Sequence, residues 1–457
     1  MAQAFFGGVH PHDMKAATNE KAIEQLAPPA VVVIPMSMHF GAPCTPTVKV
    51  GDQVKVGQKI GEFHGLGAPI HASVSGTVKA VEPRPYSMGG NITSVVIEND
   101  MQDEVSEEVQ APADPNALSV EEMVEIVKNA GIVGMGGATF PTHVKITSGI
   151  GKVNTVIING AECEPYITGD HRTMLERPEE IIGGAKFLAK MFGVDKVVIG
   201  VEDNKRNGID AMNKVIAEQK APVVVEPLRC RYPQGGEKQL CQAITGRQVP
   251  PGGLPADIGC AVFNINTTCA IYRALTTGMP VVRKIVTVSG SGVVEPKNLE
   301  CPIGTPVSNL LDACGGLKDG TYKLIAGGPM MGMAQYTADI SVAKGTGAIL
   351  AFCENEEKTV ENPQCIRCGK CVSVCPMHLE PLFMYQYASK GMVEELNDAH
   401  IMDCMECGAC SYICPARMHL THMFKTGKQL VKDKAAADRA AAEAKKKAEE
   451  AKEAAAK

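Results

Sequence analysis

Two short cysteine runs of identical spacing near the end of the chain constrain the fold more than any other feature. They are Cys365-x-x-Cys368-x-x-Cys371-x-x-x-Cys375-Pro376 and Cys404-x-x-Cys407-x-x-Cys410-x-x-x-Cys414-Pro415. In ligand runs of this spacing, three thiolates wrap one corner of a [4Fe–4S] cubane and the fourth ligates the cluster of the other run. This crossed pattern predicts two clusters with four ligands each. The two sets are Cys365, Cys368, Cys371 and Cys414, and Cys404, Cys407, Cys410 and Cys375.

Two zinc sites are the main alternative for these residues. Zinc sites usually use two separated C-x-x-C pairs, whereas each run here places four cysteines close together. The repetition of the run favours clusters over zinc. The rest of the 17 cysteines are scattered singly, and we expect most of them to be small core residues.

The apolar stretches of the chain are all too short to span a membrane, which needs about 18 apolar residues in a row. The N-terminal sequence MAQAFFGGVHPHD lacks the layout of a signal peptide. We therefore expect the reducing cytoplasm, where metal ligation by cysteine is more common than disulfide bonding. The formal net charge of −6 argues against nucleic acid as a partner, because phosphate binding needs a basic surface.

Helical and strand patterns alternate between residues 119 and 282 of this 457-residue chain. Ser119 followed by Glu122 predicts a capping box at the start of a helix over residues 120–130. Such alternation of helices with buried β-branched runs predicts an α/β domain. The other predicted elements are strands at 153–158 and 196–201 and helices at 178–192 and 207–219.

A glycine-rich stretch, GIVGMGGATFPTHVK, occupies residues 131–145. Glycines expose backbone N–H groups and admit a flat or phosphorylated ligand closely. The spacing matches neither a P-loop nor a G-x-G-x-x-G that follows a clear strand. On spacing alone, an ordinary Gly-rich loop is therefore favoured.

The pattern GxGGAxFPTxxK inside this stretch is similar to the FMN-binding loop of the NADH-oxidising flavoprotein subunit of respiratory complex I. Three later segments resemble that family in the same order: NGAECEP at 159–165, YPQGGE at 232–237 and NINT at 264–267. In that family these segments surround flavin and nicotinamide. Two positions depart from its pattern, because Ala161 replaces an Asp and Gly236 replaces a Glu.

The resemblance implies roles for individual residues. Glu164 and Glu237 are the expected catalytic residues, which accept hydrogen bonds from ribityl, ribose or carboxamide groups; their alternative is a solvated surface role. Lys145 is expected to neutralise a phosphate or the negative charge that develops on the flavin ring. The expected cofactor-binding residues are Gly134, Gly136, Gly137, Ala138, Phe140, Lys145, Asn159, Glu162, Tyr232, Gly235, Asn264 and Thr267.

Two further modules flank this core. Residues 34–82 resemble the barrel-sandwich fold of biotinyl and lipoyl domains, but the turn at 63–68 (FHGLGA) has no lysine to modify. A structural or docking role is therefore expected. Ligation by His64 and His71 is the alternative to their expected role as exposed loop histidines. Residues 284–317 and the GGPMMG segment at 327–332 resemble the soluble-ligand-binding β-grasp module that follows the flavin domain in the complex I family.

The predicted fold class is multidomain α/β and α+β. An N-terminal barrel-sandwich-like β module precedes a complex-I-flavoprotein-like α/β core, a β-grasp module and a C-terminal two-cluster ferredoxin-like α-helical domain. The predicted bounds are an N-terminal extension (1–30), the barrel-sandwich module (31–100), a linker (101–117), the FMN- and NAD(H)-binding core (118–283), the β-grasp module (284–360), the ferredoxin-like domain (361–425) and an Ala/Lys/Glu-rich helical tail (426–457).

Modules of these kinds in this order resemble the RnfC family of the Rnf electron-transport complexes over about residues 5–425. The resemblance implies a ferredoxin:NAD⁺ oxidoreductase component that exchanges hydride between NAD(H) and FMN and relays single electrons through two [4Fe–4S] clusters. It implies as partners the other subunits of a membrane-bound Rnf complex, including a ferredoxin-like subunit, and coupling to Na⁺ or H⁺ transport. The expected location is peripheral, on the cytoplasmic face of the cell membrane.

Two other functions stay open on the sequence. A soluble flavin and iron–sulfur reductase for a corrinoid cofactor has the same modules and differs in its partner. A polyferredoxin-like electron wire with a flavin-free core is the second, and the departures at Ala161 and Gly236 favour it.

Overall fold

The computed structural model describes residues 5–354 and 360–455. These residues form two compact units. The larger unit contains residues 10–249 and 253–354, and the smaller contains residues 5–9, 250–252 and 360–455. Within the described ranges, no helix is both long enough and apolar enough to cross a membrane.

Short strands make up the first hundred residues of the larger unit. They are β1 (Glu24–Gln25), β2 (Val31–Pro35), β3 (Thr45–Pro46), β4 (Gln53–Val54), β5 (Lys59–Glu62), β6 (Ile70–His71), β7 (Gly76–Pro85) and β8 (Asn91–Asn99). One antiparallel sheet has the order β2-β8-β7-β4, and a second has the order β3-β5-β6. Val32 and Ile34 of β2 are fully buried, because alternate side chains of a strand point to the same face.

An α/β core follows this β module. Its elements are α1 (Val120–Asn129), α2 (Thr142–Gly149), β9 (Thr155–Gly160), α3 (Gly169–Glu176), α4 (Pro178–Phe192), β10 (Val197–Glu202), α5 (Arg206–Gln219), β11 (Val223–Leu228), α6 (Glu237–Thr245), β12 (Cys260–Asn264) and α7 (Ile265–Thr277). The four strands are parallel, in the order β11-β10-β9-β12. Val156, Ile157 and Ile158 are consecutive and fully buried, as expected for a sheet that is covered on both faces.

A six-stranded sheet completes the larger unit. Its elements are β13 (Arg283–Ser289), β14 (Lys297–Pro302), α8 (Val307–Ala313), β15 (Thr321–Ala326), β16 (Met333–Gln335) and β17 (Ala348–Cys353). The strand order is β1-β14-β13-β17-β15-β16, so the edge strand β1 comes from the N-terminal extension. Val307, Leu310 and Leu311 of α8 are buried in the core of this module.

The N-terminal extension connects the α/β core to the six-stranded sheet. The Thr18 hydroxyl lies 2.7 Å from the Thr168 hydroxyl, just before α3. The Asn298 side chain in β14 donates to the Thr18 carbonyl oxygen at 3.2 Å. Residues 10–30 therefore contact two modules at once, although the sequence suggests an irregular extension.

The smaller unit is helical apart from its loops. It contains α9 (Lys370–Ser373), α10 (Pro381–Ser389), α11 (Val393–Asp398), α12 (Ala409–Ile413) and α13 (Leu420–Ala455). The start of α13 packs in this unit, where Leu420, Phe424 and Val431 are buried. The described side chains from 432 to 447 are all exposed, so this part of α13 is a solvated helix.

Some of the predicted elements match the structure closely and others do not. The helix predicted at 178–192 has those bounds, because Pro178 starts it and Gly193 ends it in the left-handed conformation. The strand predicted at 153–158 is shifted by two residues, because β9 spans Thr155–Gly160. The prediction that His71 is an exposed loop residue is wrong. His71 lies in β6 and is buried, and burial together with the Lys344 charge lowers its pKa to about 3.

We expect Gly184→Ala to destabilise the protein, although alanine normally stabilises a helix relative to glycine by about 1 kcal/mol. An added Cβ would overlap the carbonyl oxygen of Thr268, where α4 packs on α7. Overpacking of this kind typically costs about 1–3 kcal/mol. Thermal unfolding should show a lower Tm, whereas Lys186→Ala on the exposed face of α4 should change it little. An unchanged or raised Tm for Gly184→Ala would contradict the packing described.

Candidate functional site

The Gly-rich loop between α1 and α2 is held from its buried side. The Gly134 N–H donates to the Phe140 carbonyl oxygen at 2.9 Å and so closes the loop. The Met135 N–H donates to the Thr267 hydroxyl at 2.9 Å, and the Met135 carbonyl oxygen accepts from the Lys284 ammonium at 3.2 Å. Both backbone polar groups of Met135 are therefore used on one side of the loop.

The other side of the loop is open. Gly136, Gly137 and Ala138 are exposed, and their backbone N–H groups form no hydrogen bond with any described residue. A Cβ at Gly137 would have no heavy atom within 4 Å, whereas one at Gly136 would lie 2.7 Å from the Asn264 side chain. Consecutive free N–H groups beside open space suit an anionic or flat polar ligand, so this loop fits a phosphate-bearing flavin.

Two of the expected cofactor-binding residues support the loop from the end of β12. Asn264 is the N-cap of α7, and its side-chain oxygen accepts the Asn266 N–H at 2.9 Å. The Thr267 hydroxyl accepts from Met135 and donates to the Val133 carbonyl oxygen at 3.1 Å. In the structure, both side chains thus contact the protein backbone rather than the open face.

Lys145 of α2 and Glu237 of α6 form an ion pair beside β12, the edge strand of the parallel sheet. The Lys145 ammonium lies 2.7 Å from the Glu237 carboxylate and 3.0 Å from the Val262 carbonyl oxygen. The two side chains are 26% and 46% exposed. Because both groups are partly exposed, a ligand can reach them. Because an ion pair of this kind contributes little to stability, exchanging one partner for a ligand costs little.

The segment at 232–237 is fastened to the end of β9. The Asn159 side-chain amide donates to the Gly235 carbonyl oxygen at 2.8 Å, and the Asn159 side-chain oxygen accepts the Ala161 N–H at 3.2 Å. The Gly235 N–H lies 3.3 Å from the Cys163 sulfur. Tyr232 is only 2% exposed. The Tyr232 side chain forms a hydrogen bond with Glu164, so the fold brings Asn159, Tyr232 and Gly235 close to that glutamate.

The carboxylates of Glu162 and Glu164 are already bound within the protein, which the sequence did not predict. Glu162 accepts the backbone N–H groups of Asp170 and His171 at the start of α3. Glu164 accepts those of Met330 and Met331 at 3.1 and 3.0 Å. Burial raises the pKa of each glutamate to about 7. The solvated surface role considered for Glu164 is wrong, and both glutamates connect backbone segments.

Buried lysines lie behind the site, and sequence reasoning missed them. The Lys15 ammonium donates to the carbonyl oxygens of Glu162 at 2.9 Å, Glu164 at 3.0 Å and also Ile167. The Lys205 ammonium donates to the Ala161 carbonyl oxygen at 2.7 Å. Lys205 also forms a buried ion pair with Glu202 at 3.1 Å. Neither lysine belongs to a recognisable motif, and both bind backbone carbonyl groups that the fold brings to them.

In the smaller unit, the cysteines line two cavities. One cavity is lined by Cys375, Cys404, Cys407 and Cys410. The other is lined by Cys365, Cys368, Cys371 and Cys414. The structure thus groups the eight cysteines into the same two sets of four that the crossed pattern predicts. Four cysteines around each cavity are the ligand set of a [4Fe–4S] cluster.

The two cavities differ in exposure. Cys365 and Cys368 are exposed, whereas Cys375, Cys407 and Cys410 are buried. Backbone N–H groups donate to sulfurs of both runs, from Arg367 to Cys365 at 3.3 Å, from Leu379 to Cys375 at 3.4 Å and from Glu406 to Cys404 at 3.4 Å. Across residues 5–354 and 360–455, no group of three or more His, Cys, Asp or Glu side chains is placed to hold a single metal ion.

Comparison with known protein families assigns each module. The chain matches the RnfC barrel sandwich hybrid domain at residues 3–102, the Nuo51 FMN-binding domain at 127–273, the SLBB domain at 285–334 and the 4Fe-4S dicluster domain at 357–415. These domains and the two sites define a multidomain flavin and iron–sulfur electron-transfer protein. The matched domains support FMN and two [4Fe–4S] clusters as its cofactors.

Curated relatives match nearly the whole chain. The C subunit of the Na⁺-translocating ferredoxin:NAD⁺ oxidoreductase complex of Acetobacterium woodii is 45% identical, over 87% of this chain and 90% of that protein. The C subunit of the proton-translocating complex of Clostridium ljungdahlii is 43% identical, over 88% of each. That of the ion-translocating oxidoreductase complex of Rhodobacter capsulatus is 41% identical, over 82% of this chain and 73% of that protein. The chain therefore belongs to the RnfC family.

Gly137→Ala and Gly136→Ala form a matched pair that tests the open face of the loop. The first places a methyl group in free space, so we expect unchanged thermal stability of the apoprotein and about tenfold weaker FMN binding. The second forces the Asn264 side chain to move, so both stability and FMN binding should fall. Differential scanning calorimetry and FMN fluorescence titration measure the two effects. Unchanged FMN affinity in Gly137→Ala would place the flavin elsewhere.

Proposed function

We propose that this chain is the NAD(H)-reactive electron-transfer subunit of a ferredoxin:NAD⁺ oxidoreductase complex that couples electron flow to Na⁺ or H⁺ transport. The observation that carries the proposal is the 45% identity, over nearly the full length of both chains, to a protein named as part of such a complex. The open Gly-rich loop and the two four-cysteine cavities support it, since they fit the two kinds of cofactor that such a protein needs.

Residues around the loop have separate tasks in this proposal. The free N–H groups of Gly136, Gly137 and Ala138 bind the polar part of the flavin. Lys145 exchanges its Glu237 partner for a negative group of the ligand, which frees the Glu237 carboxylate to accept hydrogen bonds from ribose or carboxamide groups. Glu162 and Glu164 keep the surrounding backbone in place.

The cofactors explain why the chain carries both sites. When bound, FMN would exchange a hydride, and with it two electrons, with nicotinamide, whereas [4Fe–4S] clusters carry electrons singly. The protein then has to bind the nicotinamide beside the flavin and keep each cluster in a defined position. Four thiolates hold each cluster in position. Because three come from one run and the fourth from the other, the clusters also hold the two runs together.

We assign as cluster ligands the cysteines that line each cavity. The first cluster takes Cys365, Cys368, Cys371 and Cys414, and the second takes Cys404, Cys407, Cys410 and Cys375. The partners in the proposal are the other subunits of the membrane-associated complex, including a ferredoxin-like subunit, at the cytoplasmic face of the membrane. Membership of the RnfC family favours this function over a corrinoid reductase.

Lys145→Ala tests the flavin part of the proposal. Loss of a charged hydrogen-bonding group should weaken FMN binding by about tenfold or more and leave the iron and sulfide content unchanged. In an anaerobic titration, NADH should bleach the cluster absorbance of FMN-loaded wild-type protein and leave FMN-free protein oxidised. Lys152→Ala, at an exposed lysine beyond α2, is the control and should behave as wild type. Loss of iron in Lys145→Ala, or cluster bleaching without FMN, would contradict the proposal.

Double cysteine variants test the crossed ligand assignment. Cys375 and Cys404 belong to the same proposed cluster, so Cys375→Ala/Cys404→Ala should lose about half of the iron. Cys371 and Cys375 belong to different clusters, so Cys371→Ala/Cys375→Ala should lose nearly all of it. Iron and sulfide analysis, with EPR spectra of the reduced protein, measures the outcome. The reverse order of the two losses would show that each run holds its own cluster.

A further inference from the structure

Lys284, in the central strand β13 of the six-stranded sheet, places a buried charge directly behind the Gly-rich loop. The residue is only 4% exposed, and the Met135 carbonyl oxygen at 3.2 Å is the acceptor of its ammonium group among the described residues. Burial lowers the pKa of Lys284 to about 8, so the ammonium stays protonated at neutral pH. No family motif in the sequence points to this residue.

Asp170 is the acidic residue whose charge acts on Lys284. It lies in α3, and its partly buried carboxylate accepts hydrogen bonds from the side-chain amides of Asn264 and Asn266. Its charge opposes the lowering of the Lys284 pKa, and the lysine in turn opposes the rise of the Asp170 pKa that burial causes. Each of the two groups therefore favours the charged form of the other.

The peptide between Met135 and Gly136 connects Lys284 to the open face of the loop. In a trans peptide the C=O and the N–H point to opposite sides of the chain. The ammonium binds the C=O of Met135 on the buried side, and the N–H of Gly136 lies on the exposed side without an acceptor among the described residues. A cation on the carbonyl oxygen polarises the peptide and strengthens the donor on the other side.

We propose that Lys284 is a positioning residue that raises the redox potential of the flavin bound at this loop. A hydride adds two electrons and one proton to the neutral flavin ring and leaves the reduced ring with one negative charge. A positive charge behind the loop, and a stronger Gly136 donor in front of it, favour that anion over the neutral oxidised ring. The inference rests on the proposed function only in that FMN binds at residues 134–145.

The expected shift in redox potential is that of a single buried charge, which solvent screens poorly. We expect removal of the Lys284 charge to weaken the binding of reduced FMN about tenfold relative to oxidised FMN, which corresponds to about 30 mV for a two-electron couple. Neutralising Asp170 should shift the same ratio in the opposite direction, because the lysine charge is then uncompensated. Opposite signs from two neighbouring residues are not expected of general structural damage.

Three variants of the full chain test the proposal. Lys284→Gln keeps a hydrogen-bond donor for Met135 but removes the charge, and should lower the midpoint potential of bound FMN. Asp170→Asn keeps the shape of the side chain and should raise the potential. The double variant restores charge balance and should lie close to wild type. Anaerobic spectroelectrochemistry gives the potentials, and separate titrations with oxidised and reduced FMN give the two dissociation constants.

Lys344→Gln is the matched control. Lys344 is also a buried lysine, and its ammonium donates to the carbonyl oxygens of Gly131 at 2.7 Å and Pro69 at 2.8 Å rather than to one in residues 134–138. We expect it to change stability but not the potential. Equal potentials in wild type, Lys284→Gln and Asp170→Asn, or shifts of the same sign, would overturn the inference, as would loss of FMN binding in all of these variants. Absence of FMN binding in wild type would instead contradict the proposed function.

Discussion

The ligand-binding face of the Gly-rich loop depends on how the backbone of one residue, Met135, is held from behind. Its N–H group is bound by Thr267 at the start of α7, and its carbonyl group is bound by Lys284 from β13. Both groups are used on the buried side, whereas the N–H groups of the next three residues have no acceptor among the described residues. Two segments that are far from the loop in sequence thus determine the chemistry of its open face.

The parts of the site that could be predicted well from the sequence are those with local spacing. The cysteine runs are a good example, because each run is a single turn-forming segment whose spacing reflects the cluster that it surrounds. The roles of Glu162 and Glu164 were harder to predict, since their carboxylates are satisfied by backbone N–H groups that only the tertiary fold brings close. Met330 follows Glu164 by 166 residues, a separation that no local pattern reports.

The features of the fold also divide into those that local sequence predicts and those that depend on distant contacts. The helix at 178–192 was predictable in both bounds because Pro178 and Gly193 mark its ends chemically. The order and kinds of the modules followed from family resemblance, and the family matches support them. His71 was placed wrongly because its burial depends on contacts with neighbouring modules, including the charge of Lys344, which lies far along the chain. The residues next to His71 in the sequence therefore do not indicate that it is buried.

The N-terminal extension has a practical consequence for dividing this chain into fragments. Its strand β1 forms one edge of the six-stranded sheet, Thr18 joins β14 to the loop before α3, and Lys15 holds three carbonyl groups beside the parallel sheet. An isolated flavin domain expressed from about residue 118 would expose these carbonyl groups without their buried cation. Expression boundaries therefore have to follow the tertiary contacts of residues 10–30 rather than the borders between sequence families.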